Sequence, residues 1–211
     1  MSKLALLSLM AIVFGFAVQA RGEEYTITLE ANSEKIAEVA LSIDGEQAVA
    51  KVDGITELFD LKNMRWQDED TKRWVTLAQC EKWAKESKEE SLSSTAQVPE
   101  NVRAFGEWTL DPKFEIAATD DTLTLTSGKV DYQIAVEKTD RDLTNFFRYA
   151  RLNAYKKAMT QRKLPPFAEL LVNEELERRK LMPRSMEIAI PAVPGAPSLR
   201  MVVTDDEKSG K

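Results

Sequence analysis

The sequence predicts an α+β fold: a curved antiparallel sheet, half-barrel-like, packed around one central helix, with about three helices in all. Three observations carry this expectation. Apolar and polar residues alternate in about ten short runs, the period of half-buried strands. Residues 140–160 carry apolar stripes at helical spacing instead. Asp44-Gly45 and Asp53-Gly54 each separate two alternating runs, the strongest short-range hairpin signal.

Taken in order, Tyr25, Ile27 and Leu29 form the inward row of a first strand, and Asn32-Ser33 turns the chain. Ala37, Val39, Leu41 and Ile43 make a second row. Strands at 47–52 and 55–61 follow, the latter placing Ile55, Glu57 and Phe59 on one side. Residues 64–67 and 72–76 read as hairpin arms, with Trp66 and Trp74 paired across them. Thr76 and Gln79 then form a capping box for a helix over 77–93. Its narrow stripe is Leu77, Cys80, Trp83, Ala84, Ser87 and Ser91, mostly small and so able to approach another element closely, and its other face is charged. Residues 91–100 read as a polar loop.

Strands resume at about Phe105, where Trp108 and Leu110 alternate, and continue through Phe114, Ile116 and Ala118, then Leu123 and Leu125. Val130, Tyr132, Ile134 and Val136 form the longest alternating row. The central helix follows, capped by Thr139 or Asp140 and stopped by Pro165-Pro166. One stripe holds Leu143, Phe146, Phe147, Ala150, Ala154 and Ala158; the opposite one holds Tyr149, Leu152, Tyr155 and Met159. Two apolar faces call for burial on two sides. Packing against the sheet is the favoured role of its aromatics, ahead of lining a ligand pocket. Arg141, Arg148, Arg151, Lys156 and Lys157 read as wet edges. Residues 167–172 are compatible with strand or helix. Asn173 caps a short helix over 174–180, which Pro183 ends, and 186–190 and 199–203 close the fold as a hairpin.

Residues 1–20 read as a secretory signal peptide: Lys3, an apolar run over 4–18, and Val18-Gln19-Ala20 as the cleavage site. The remaining 21–211 is expected to form a single α+β domain, exported to the periplasm or beyond the cell, with no membrane span after cleavage. A net charge of −6 argues against nucleic acid as a partner. With no histidine and one cysteine, Ser-His-Asp and Cys-His catalysis, histidine-ligated metals and an internal disulfide are excluded. Asp68-Glu69-Asp70, Asp120-Asp121 and Asp205-Asp206-Glu207 are acidic clusters without calcium-loop spacing, read as solvated turns. Cys80 reads as a buried, inert thiol. No residue is assigned a catalytic, cofactor-binding or metal-binding role, and no cofactor is expected.

The segments VDGITELFDLKNMRWQDEDTKRWVTL, LNAYKKAMTQRKLPPF and LVNEELERRKLMP resemble parts of uncharacterised exported bacterial proteins, a resemblance that implies no chemistry. The leader, the hairpin meander with Asp53-Gly54 and the mix of helix and sheet also resemble periplasmic lipoprotein carriers, whose half barrel closes over helices and shelters acyl chains. Exclusion and resemblance together point to a non-enzymatic binding protein for a lipid or lipidated protein. The alternatives are an envelope protein–protein interaction module with a solid core, or a carboxylate-based hydrolase.

Overall fold

A computed structural model describes residues 22–94, 100–161, 164–193 and 195–205. Six strands come first: β1 (Glu23–Ala31), β2 (Glu34–Asp44), β3 (Gln47–Val52), β4 (Ile55–Asp60), β5 (Arg65–Gln67) and β6 (Trp74–Thr76). Tight turns set their register. Asn32-Ser33 and Asp53-Gly54 both have two successive residues at positive φ, at 49° and 67° and at 50° and 82°. That geometry matches the twist of the strands it joins. Helices α1 (Leu77–Ser94) and α2 (Glu100–Leu110) follow, then β7 (Glu115–Ala118), β8 (Thr122–Thr126) and β9 (Asp131–Lys138). Helices α3 (Thr144–Thr160) and α4 (Phe167–Arg179) precede β10 (Leu181–Ala189) and β11 (Leu199–Asp205).

Among the described residues these eleven strands form one curved, open antiparallel sheet, ordered β6-β5-β4-β3-β2-β1-β11-β10-β9-β8-β7. Two meanders therefore meet at a seam where β1 pairs with β11, Tyr25 opposite Asp205 and Ala31 opposite Leu199. The inward rows expected from alternation are buried at Leu41, Ala50, Phe59, Leu123 and Ile134, but Ile27, Leu29 and Ala37 are half-buried and Ile55 and Ile116 are exposed. The capping box at the start of α1 is formed: Thr76 N–H donates to Gln79 Oε1 at 2.8 Å and Gln79 N–H to Thr76 Oγ1 at 3.3 Å.

Several expectations are corrected. The described residues hold four helices, not about three, because 100–110 is helical rather than extended. Phe105 and Trp108 stand three residues apart and stack at 6.1 Å on one helix face, and Trp108 meets Phe114 edge-on at 5.6 Å. Part of the loop expected over 91–100 belongs instead to the ends of α1 and α2. Residues 167–179 form one helix with Asn173 inside it. Its start is set by Pro166, where a fixed φ suits helix entry. Lys180, in the left-handed conformation at φ 55°, ends it. Pro183 lies within β10, beside a bulge. Trp66 faces Val75 across the hairpin rather than Trp74, whose ring lies under the Arg65 guanidinium at 4.6 Å. Helix α3 starts after Leu143, later than the predicted caps; Asp142 Oδ1 accepts from the Thr144 N–H at 2.9 Å. Residues 1–20, with the predicted leader and its cleavage site, lie outside the described residues. No helix among the described residues is long and apolar enough to cross a membrane.

Candidate ligand cavity

Helix α3 meets different neighbours on its two sides. Towards β4, β5 and α1 the packing is solid: Phe59, Leu61 and Cys80 are fully buried and Trp66 nearly so. The small residues Cys80 and Ala84 let α1 come close, as their stripe predicts. Phe59 meets Tyr149 edge-on at 4.9 Å. Lys156 is also buried here, contrary to the wet edge expected of it. Its ammonium is bonded to Glu57, reaches Glu69 Oε1 at 3.0 Å and lies 6.0 Å from the centre of the Trp66 ring. Glu57 is the inward polar residue of β4, so strand parity delivers it to the lysine.

On the other side α3 faces α4 and the middle of the sheet, and here the side chains leave a cavity of about 190 Å³. Ile27, Leu29, Met186, Ile188, Met201 and Val203 line the sheet side. They adjoin one another through the strand register: Ile27 opposes Val203, Leu29 opposes Met201, and Met201 opposes Met186. A bulge in β10 makes this wall continuous. Pro183 pairs with Val136 and Ser185 with Ala135, which leaves Arg184 as the extra residue. The strand changes parity there, so Pro183 and then Met186 and Ile188 all line the cavity. Arg184 turns outward to Glu137, at 2.8 Å from its Nε.

Phe146, Tyr149 and Ala150 line the helical side from α3, and Val172 and Leu176 from α4. The aromatics of α3 pack, as favoured: Phe147 and Tyr155 lie in the core, and Phe146 and Tyr149 lie in the core and also border the cavity. Four polar residues interrupt this lining, namely Asn153 and Lys157 on α3 and Glu169 and Asn173 on α4. Arg151 Nη2 lies 3.3 Å from Glu174 Oε1, an ion pair between the two helices. Along α3, Asn153 lies one turn, about 6 Å, from Lys157, and along α4 Asn173 lies as far from Glu169. Neither side-chain amide has a hydrogen-bond partner among the described residues, and Lys157 has no ion-pair partner among them.

Tyr132, Lys157 and Glu169 also line an adjoining surface groove with Trp108, Val130 and Leu164, which makes this end the mouth. Burial, reinforced by the Glu169 carboxylate, pushes the Tyr132 phenol far above its usual range. Tyr149 is raised by burial and then by Glu57 and Glu169, so both phenols stay neutral. The Trp108 indole nitrogen is buried without a hydrogen-bond partner among the described residues. The opposite end is closed. Phe146 leans on Tyr25 at 5.2 Å, and Arg141 bonds Asp205, Glu23 Oε1 at 3.0 Å and the Tyr25 hydroxyl at 3.3 Å. Burial works against the Arg141 charge, but hydrogen bonds to Glu23 and Asp205 prevail and raise its pKa.

The acidic clusters do not converge on a cleft. Asp68 Oδ1 accepts from Thr71 N–H at 2.8 Å, Asp120 pairs with Lys138 at 2.7 Å, and Asp121 accepts from the Thr119 hydroxyl at 2.9 Å. Two members are corrected from solvated turns to buried or half-buried partners, Asp205 with Arg141 and Glu69 with Lys156. Asp206 and Glu207 lie outside the described residues. Cys80 is fully buried, and burial raises its thiol pKa, as expected of an inert cysteine. No three Cys, Asp or Glu side chains among the described residues gather as metal ligands.

No protein-family model matches this chain, and no curated protein matches it significantly in sequence. Of the cavity residues, sequence weighed only the aromatics of α3 as pocket lining and singled out none of the polar ones. The available signal was narrow: Asn153 and Lys157 continue the line of Phe146 and Ala150 along α3, two polar residues on a path that begins apolar.

Proposed function

We propose that this chain is a non-enzymatic, exported binding protein that shelters the apolar part of a ligand between the curved sheet and helices α3 and α4. The single observation that carries this is the cavity of about 190 Å³, mostly apolar and open at one end. An apolar cavity of about 150 Å³ takes a benzene ring, so this one has room for a ring or about six to eight chain carbons. It is smaller than the roughly 300–1,000 Å³ of sites that enclose drug-sized ligands. The reading is therefore a tail or one end of a lipid, not a whole one. A chain presented by a lipidated protein meets the same limit. The resemblance to lipoprotein carriers supports the same arrangement of sheet over helix, and the apolar run over 4–18 supports export. The inward acid pairs, Glu57 with Glu69 and Glu23 with Asp205, each close on a cation, which favours binding over carboxylate hydrolysis. One observation favours the interaction module as a second reading. Edge strand β7 is exposed along its whole length, Ile116 included at 42%.

Toluene is a suitable neutral probe. Methyl NMR of the full mature chain should show saturable shifts at Val172, Leu176 and Val203. Ala150→Leu and Val172→Phe, which fill the space from different helices, should abolish them while thermal unfolding shows both variants folded. An unresponsive wild type, or shifts that persist in both folded variants, would remove the cavity as the binding site. Edman sequencing of the exported form should begin at Arg21.

A further inference from the structure

The cavity contains its own description of the ligand's polar end. We infer that it takes an amphipathic monocarboxylate with a short aliphatic tail, the tail inside and the carboxylate held at the mouth by Lys157, with Asn153 and Asn173 beside it. This rests on the cavity being the binding site, as proposed above, and adds the chemical class of the head group.

Lys156 and Lys157 are consecutive, yet the first is neutralised by two carboxylates and the second by none among the described residues. A lysine at the rim of an apolar space, without an acid partner, is complementary to a ligand anion. One turn along each helix from the mouth residues, the two amides supply N–H donors from both helices. Neither has a partner among the described residues, so neither must give up a protein hydrogen bond to engage a ligand. Glu169, the other charge at the mouth, is exposed and only accepts, so it offers a bound carboxylate no hydrogen bond. The neutral phenol of Tyr132 adds no opposing charge. The cavity as a whole has room for a chain of about six to eight carbons.

The test compares three ligands of one tail length, octanoate, 1-octanol and octylamine, by methyl NMR titration of the full mature chain at neutral pH. Octanoate should bind about tenfold more tightly than 1-octanol, the difference expected of a charge-assisted hydrogen bond. Octylamine should bind more weakly than either. Lys157→Met, which keeps the length of the side chain, should erase the preference for octanoate while 1-octanol and toluene bind as before. Glu169→Gln should leave octanoate binding equal or tighter. Equal affinities for octanoate and 1-octanol in the wild type would overturn the head-group assignment. So would a preference for octylamine that Glu169→Gln removes. If toluene still binds in either case, the cavity reading survives and only this inference fails. If none of the three ligands nor toluene binds, both fail together.

Discussion

On one flank of α3, Lys156 is gripped by Glu57 and Glu69 beneath the sheet; on the other, Lys157 shares the mouth of a cavity with Glu169 and forms no ion pair among the described residues. The same helix serves both flanks, and the neighbours make the difference. The Lys156 flank is walled by β3 to β5 and by α1, whose small residues close the distance, and its large side chains are almost wholly buried. The Lys157 flank is walled by strands whose inward residues Ile27, Leu29, Ile188 and Met201 remain half-buried. Close packing holds the charged groups of the solid flank in pairs, although the buried Trp66 indole nitrogen has no hydrogen-bond partner among the described residues. The candidate function lies on the flank where packing is incomplete and a lysine is left without an ion pair among them.

The strongest challenge to this contrast is a pair of truncations. Phe59→Ala removes a fully buried ring and should cost about 3–5 kcal/mol, whereas Met201→Ala enlarges a space that already exists and should cost under about 2 kcal/mol. Denaturant midpoints measure both, and equal losses would mean that the two flanks are packed alike. Next is the lysine pair. Lys156→Met leaves Glu57 largely buried without its cation and should cost about 3 kcal/mol, much of it recovered by adding Glu57→Gln. Lys157→Met should stay within about 0.5 kcal/mol of wild type by the same measurement. A smaller effect of opposite sign is expected from Ala150→Leu, which fills the cavity and should stabilise by about 0.5–1 kcal/mol. A loss of stability instead would show that the wall cannot accept the added volume.

The last test uses pH on the solid flank. Burial pushes the Asp60 carboxyl up, but hydrogen bonds from Asn63 and Arg65 and the Arg65 charge hold it below its usual range. A depressed folded pKa gives stabilisation that is present above the unfolded value, about pH 4, and lost as pH falls through the folded one. Asp60→Asn should therefore flatten the acid limb of the stability profile. An unchanged limb would assign it to other carboxylates.

Strand order along the chain was legible because alternation and Asp-Gly turns are local. The rows Tyr25–Leu29 and Val130–Val136 needed only a period of two and a turn at each end. Helix α2 was not legible, since Trp108 and Leu110 also fit a strand and only the spacing of Phe105 and Trp108 favours a helix. The fates of Lys156, Arg141 and Asp205 depend on partners far away in the chain, which strand parity and register bring together. The cavity was least legible of all. It is a volume that side chains fail to fill, so no residue type encodes it, and the parity change at Arg184 that shapes its wall interrupts the very pattern from which strands are read.

The seam between β1 and β11 also orders events in time. The first meander closes through short connections and the second through one long connection that carries α3 and α4, whereas the seam joins strands from opposite ends of the chain and bears the largest chain-closure entropy. Arg141 spans that seam, holding Glu23 of β1 and Asp205 of β11. Its contacts thus complete only after the slow step. Arg141→Ala should accordingly speed unfolding and leave the refolding rate nearly unchanged in stopped-flow chevrons, so that this residue governs how long the native state lasts rather than how fast it is reached.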